Sequence, residues 1–147
     1  MVSILKVSNL SVRFPDQEVL SGLSFEVQAN ESLAVIGPNG SGKSVLLRAL
    51  VGAVPYTGLV EWAPGVAIGY VPQKLDLERS LPLTLGDFLA TKIKILNLPE
   101  KIAHEALSKV KLARSFLNKK LGFLSGGQFQ RALIAFALIG KPNVLLF

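Results

Sequence analysis

Residues 37–44 read Gly-Pro-Asn-Gly-Ser-Gly-Lys-Ser, so Gly37, Gly42, Lys43 and Ser44 satisfy the spacing G-x-x-x-x-G-K-[ST]. Each residue type answers a need of phosphate binding. Glycines let the backbone curl until successive N–H groups converge on phosphate oxygens. A helix opening near Lys43 would add the positive end of its dipole. The Lys43 ammonium can reach the β- and γ-phosphates, and the Ser44 hydroxyl suits Mg²⁺. Pro38, Asn39, Gly40 and Ser41 inside the loop, and Val45 after it, complete the candidate nucleotide-binding stretch. A plain Gly/Ser turn is the competing reading. At ordinary residue frequencies, a chance match somewhere in such a chain is about one in a few hundred.

A second corner lies about eighty residues on, where Leu124, Ser125, Gly126, Gly127 and Gln128 precede Phe-Gln-Arg. A serine hydroxyl and two glycine amides opening a helix can all point at an anion. Alone, such a triplet is usually a turn. After a full phosphate loop it carries weight.

With both corners in hand, the chain resembles the ATP-binding-cassette (ABC) ATPases, the motor subunits of ABC transporters, over its whole length and in the family's motif order. The resemblance implies ATP and Mg²⁺ as ligands. Residues 37–44 match the Walker A loop, with Val45 where the family often has Thr. Residues 124–128 are the family signature, which contacts ATP held by a second subunit. Phe14 falls where an aromatic stacks on adenine, though it could instead be a strand core residue. Gln73, in Tyr-Val-Pro-Gln, matches the Q-loop glutamine that contacts Mg²⁺ and the attacking water; an ordinary loop residue is the alternative. Ser44 and Gln73 are thus the implied Mg²⁺ contacts. Arg131 is expected to anchor the signature helix rather than touch phosphate, and His104 to be a solvated surface residue. Asn30 stands where the family often has Gly; Asn tolerates the left-handed backbone region. Residues 144–147 match the strand that leads to the Walker B carboxylates. That pair and the later switch histidine do not follow, so the chain is expected to be an N-terminal fragment without a general base, able to bind nucleotide but not to hydrolyse it.

Only 51 residues, 74–124, separate Gln73 from Ser125, which leaves no room for the long coiled coil of ABC proteins that act on DNA ends. Residues 71–85 resemble zinc or manganese importers; importers of haem or iron–siderophore complexes are the alternatives. The implied partners are a transmembrane permease subunit, a second ABC ATPase subunit in a head-to-tail homodimer and, indirectly, a substrate-binding protein. No nucleic acid is expected. The implied location is cytoplasmic, peripheral on the cytoplasmic face of the cell membrane. The competing readings are a soluble ABC protein acting on the ribosome or nucleic acid, and a fragment with no function.

The elements that must position these residues follow from composition and periodicity. The chain has 147 residues, 50% hydrophobic and 18% charged, which suits one packed domain and excludes disorder. There is no cysteine and one histidine, which excludes disulfides, thiolate chemistry and multi-histidine metal centres. The longest apolar run is eight residues, 132–139, too short to span a membrane. The first hundred residues carry eight basic and nine acidic side chains; residues 101–147 carry eight basic side chains and only Glu105. That asymmetry could serve nucleic acid or an anionic surface, but scattered lysines read first as solvated helix faces.

Residues 4–14, 23–27, 59–62 and 67–71 read as strands, with Pro72 closing the last. Residues 32–36 and 143–147 read as buried parallel strands. Residues 43–51, 84–96, 99–113 and 126–139 read as helices, the last buried because it is apolar nearly all round. Glu105 and Lys109 are spaced to pair. The expected fold class is α/β: a P-loop NTPase-type ABC ATPase core, incomplete, with an antiparallel β subdomain and a helical insert. One domain is expected, with 1–73 and 141–147 forming the core and β subdomain, and 74–140 the helical subdomain that carries the signature.

Overall fold

A computed structural model describes residues 2–73 and 82–147. It divides into two compact units, residues 1–66 and 67–147. Residues 74–81, about half of the 71–85 segment on which the metal-importer resemblance rests, lie outside the described residues.

The first unit is built on an antiparallel sheet. Strands β1 (Ser3–Phe14), β2 (Gln17–Gln28) and β3 (Thr57–Trp62) take the order β2-β1-β3. The alternation of apolar and polar residues sets the register, with Leu5 opposite Val27 and Val7 opposite both Phe25 and Val60. Leu5, Val7, Leu10, Val12, Leu20 and Val27 are thereby buried. Irregularities in the β1 pairing fall around Asn9, whose φ is 51°. Asn30 has φ 63°, the left-handed conformation expected of a residue standing for Gly. Helix α1 (Lys43–Leu50) buries Leu46, Ala49 and Leu50. The Trp62 Nε1–H donates to the Leu50 carbonyl at 3.0 Å and so closes the helix end.

Residues 32–36 differ from expectation. They lie outside any strand and are exposed. An apolar run becomes a strand only where another strand supplies hydrogen bonds, and none pairs with this run among the described residues.

The second unit is helical around a two-stranded parallel sheet. Strand β4 (Ile68–Tyr70) pairs with β5 (Val144–Leu146), Ile68 opposite Val144 and Tyr70 opposite Leu146. Between them run helices α2 (Leu85–Ile95), α3 (Lys101–Lys109) and α4 (Gly126–Leu138), with short 3-10 turns at Arg114–Asn118 and Leu121–Phe123. Leu85, Leu89, Ile93, Leu107 and Ala132 form the centre of one apolar core. Gly69 is why α4 can lie against β4. A Cβ there would sit 2.8 Å from the Ala137 carbonyl oxygen.

Helix α3 is shorter than the 99–113 reading, because Lys111 turns to φ 56° and the Leu112 N–H closes back on the Leu107 carbonyl at 3.0 Å. Glu105 and Lys109 do not close into an ion pair among the described residues. Both are exposed, and such pairs gain little in water. The 143–147 run is a strand over its centre, but it is not buried: Leu145 is 43% and Phe147 86% exposed. Among the described residues it has a partner on one edge only, so its other edge is unpaired. Among the described residues no helix is long and apolar enough to cross a membrane.

Candidate functional site

The phosphate loop lies in the first unit. Gly40 and Gly42 both have positive φ, 83° and 87°. Gly42 is the N-cap of α1, and no side chain caps this helix. No side-chain oxygen stands at this helix start, so the positive end of its dipole favours an anion there. A turn within the loop is set by the Ser41 N–H donating to the Pro38 carbonyl at 3.3 Å. Residues 37–41 are exposed.

Lys43 is already committed to this loop. Its Nζ donates to the Gly37 carbonyl at 2.8 Å and to the Pro38 carbonyl at 2.7 Å. Two carbonyl oxygens hold the ammonium over the loop, and its remaining proton can face a phosphate. Ser44 is exposed on the first turn of α1, and Val45 is half-buried behind it. Phe14 ends β1 in the same unit, paired with Gln17 and 37% exposed, so it is not a core residue.

The serine–glycine corner lies in the second unit. Ser125 is the N-cap of α4 in a reciprocal capping box. Its hydroxyl oxygen accepts from the Gln128 N–H at 3.3 Å, and the Gln128 Oε1 accepts from the Ser125 N–H at 3.1 Å. This was legible as Ser-x-x-Gln before an apolar run, a signal the motif reading passed over. The Ser125 Oγ–H still has its proton to donate. Gly126 and Gly127 are exposed, with open space where a Cβ would stand. Gln73 follows β4 and Pro72 and is exposed.

Arg131 is exposed on α4 and makes no hydrogen bond or ion pair among the described residues, so it shows no anchoring contact. His104 is half-buried and lines a groove of about 700 Å³ between α2 and α3, rather than standing free in solvent. Sequence reasoning missed Lys92. This α2 side chain reaches the far end of α4 and donates to the Phe136 and Ala137 carbonyls at 3.0 and 3.2 Å. Its ammonium lies 5.2 Å from the Phe136 ring centroid. Burial lowers its pKa from the usual lysine value of 10.5.

The profile of the ABC transporter family matches residues 20–147. The zinc import ATP-binding protein ZnuC of Ruegeria pomeroyi is 43% identical over 144 residues, 97% of this chain and 55% of its own length. The protein of the same name from Jannaschia sp. is 40% identical over 148 residues, 99% of this chain and 58% of its own length. The chain thus spans a little over half the length of these curated relatives. An inward-facing conformation of a metal-chelate type ABC transporter superposes with a TM-score of 0.80 at 27% identity, over 99% of this chain and 59% of that one. A nucleotide-free ATP-binding cassette from an ABC transporter gives 0.77 at 25% identity, over 98% and 68%. A family profile across most of the chain, an ABC ATPase fold and both motif corners in place leave one assignment: the chain belongs to the ABC transporter family, in its ATP-binding domain.

Proposed function

We propose that these residues are the nucleotide-binding part of the ATP-binding subunit of a metal-ion importer, with zinc the favoured ion. The observation that carries the nucleotide reading is the loop at 37–44. There an ammonium, two left-handed glycines and an uncapped helix start converge on exposed space. The zinc reading rests on relatives named for zinc import.

In this reading the γ- and β-phosphates lie on the loop amides of residues 40–44 and against Lys43. Phe14 offers a half-open ring for the base. Ser44 offers one hydroxyl oxygen to a Mg²⁺ held chiefly by the phosphates, the usual way that ion is bound. The donors present fit such a complex: neutral amides and one cation for an anion, and one hard oxygen for the metal. Ser125, Gly126 and Gly127 supply donors for the nucleotide of a second subunit, so two copies are needed to enclose one ATP from both sides. Gln73, exposed three residues after β4, is the side chain that would contact the Mg²⁺ and the attacking water. A transmembrane permease is the partner, and the inner face of the cell membrane the place of work.

Lys43→Ala removes a charge-assisted phosphate contact, so Mg-ATP should bind about 10- to 100-fold more weakly, roughly 1.5–3 kcal/mol. Titrating a fluorescent ATP analogue against both forms measures this. Equal affinity would sink the site. The zinc assignment is tested separately, by whether the whole protein restores growth under zinc limitation to cells lacking their own importer ATPase.

A further inference from the structure

The corner at Ser125 holds one more charged group that no motif names. Lys119 is half-buried, and its backbone is fixed on both sides. Its N–H donates to the Phe116 carbonyl at 3.0 Å, and its own carbonyl accepts from the Leu85 N–H at 2.9 Å, at the first turn of α2. The side chain runs back over Phe116, with Nζ 5.2 Å from the ring centroid. From there Nζ lies 3.5 Å from the Gln128 Oε1, an ion–dipole contact. That oxygen is the one that accepts from the Ser125 N–H.

We propose that Lys119 is a positioning residue for the Ser125–Gln128 corner, acting through Gln128. This rests on the reading of that corner as a nucleotide contact. A carboxamide can turn end for end, since its oxygen and nitrogen are nearly the same size. Turned round, Gln128 would aim its NH₂ at two donors, the Ser125 N–H and the Lys119 ammonium. The Ser125 N–H already favours one orientation, and Lys119 adds a second donor that strengthens the preference. The oxygen closes the capping box, the Ser125 hydroxyl stays at the helix start, and the Gly126 and Gly127 amides keep their direction. The ring of Phe116 and the pinned backbone hold the ammonium where it can do this. The ammonium also adds positive charge beside an anion-binding helix start, in the same sense as the helix dipole.

Packing and positioning separate cleanly by substitution. Lys119→Met keeps an unbranched stem on Phe116 and removes the charge; Lys119→Arg keeps both. Backbone amide exchange of the 147-residue chain is the readout. Lys119→Met should speed exchange at Ser125 about three- to tenfold, with Lys119→Arg close to wild type. In a Gln128→Ala background, Lys119→Met should add nothing. Wild-type exchange in Lys119→Met would overturn the proposal, as would an undiminished effect of Lys119→Met once Gln128 is alanine. Adding Mg-ATP tests the underlying reading apart from this. If neither the 37–44 amides nor those of Ser125, Gly126 and Gly127 respond to it, the nucleotide reading falls, while the exchange result still decides what Lys119 does.

Discussion

At the scale of single residues, the phosphate loop shows why spacing can reveal chemistry where side-chain geometry cannot be foreseen. Gly37, Gly42, Lys43 and Ser44 were legible because each position answers a fixed demand of phosphate binding. Where Lys43 rests without ligand was not legible, because its partners are backbone carbonyls and no residue type announces them. The glycines separate by the same logic. Gly40 and Gly42 share a left-handed φ, but only Gly42 is also crowded. A Cβ there would stand 2.8 Å from the Leu20 Cδ2 and 3.0 Å from the Val19 Cγ1, whereas at Gly40 it would meet open space. Gly40→Ala should therefore cost about 1 kcal/mol, the strain of a side chain in that region. Gly42→Ala should cost about 2 kcal/mol or more, because β2 must also give way. Urea denaturation of the two variants compares them, and equal losses would show that crowding at Gly42 is relieved at no cost.

At the scale of elements, what the sequence made legible depended on where each element's partners lie. The antiparallel start was clear, since β1, β2 and β3 alternate and find one another along a short chain length. Helices α2 and α4 were clear from their apolar periodicity, and their starts are also written locally, in caps that the sequence reading did not use. Thr84 caps α2 by accepting from the Asp87 N–H, and Asp87 returns the bond to the Thr84 N–H, a Thr-x-x-Asp pattern close to the Ser-x-x-Gln of α4. The run at 32–36 misled, because an apolar β-branched stretch states a preference and not a partner. Lys92 was silent for a related reason: its acceptors lie more than forty residues away along the chain.

The α2 cap carries a pH dependence of definite sign. The Thr84 side-chain and backbone hydrogen bonds hold the Asp87 carboxyl below its ordinary value of 3.8. A depressed carboxylate stabilises the fold above that ordinary value, and the contribution is lost as pH falls through the folded pKa. Asp87→Asn should therefore be less stable than wild type near about pH 7, and the gap should close as pH falls below 3.8 and on through the folded pKa. Melting curves of both proteins across that range decide it. A gap that stayed constant, or grew in acid, would mean that the charge of Asp87 does not stabilise α2.

At the scale of the whole molecule, each unit carries apolar surface that its own elements do not cover. In the first unit, residues 32–36 leave Ile36 92%, Leu33 54% and Val35 40% exposed. In the second, β5 and the residue after it leave Leu145 43% and Phe147 86% exposed. Both stretches are exposed, rich in β propensity and uncharged, the combination that recruits another chain through backbone hydrogen bonds and apolar contact. The basic excess beyond residue 100 opposes association only weakly, since its lysines are screened at physiological salt within about 8 Å. The 147-residue chain should therefore self-associate at micromolar concentration, eluting earlier from a sizing column as concentration rises. Ile36→Ser with Phe147→Ser should move it toward the monomer position, because the two changes remove the two most exposed apolar side chains in these stretches without touching either core. A sharp monomer peak from the unaltered chain, unchanged over a hundredfold range of concentration, would show that exposure of this kind is tolerated here and that these two stretches do not govern its solution state.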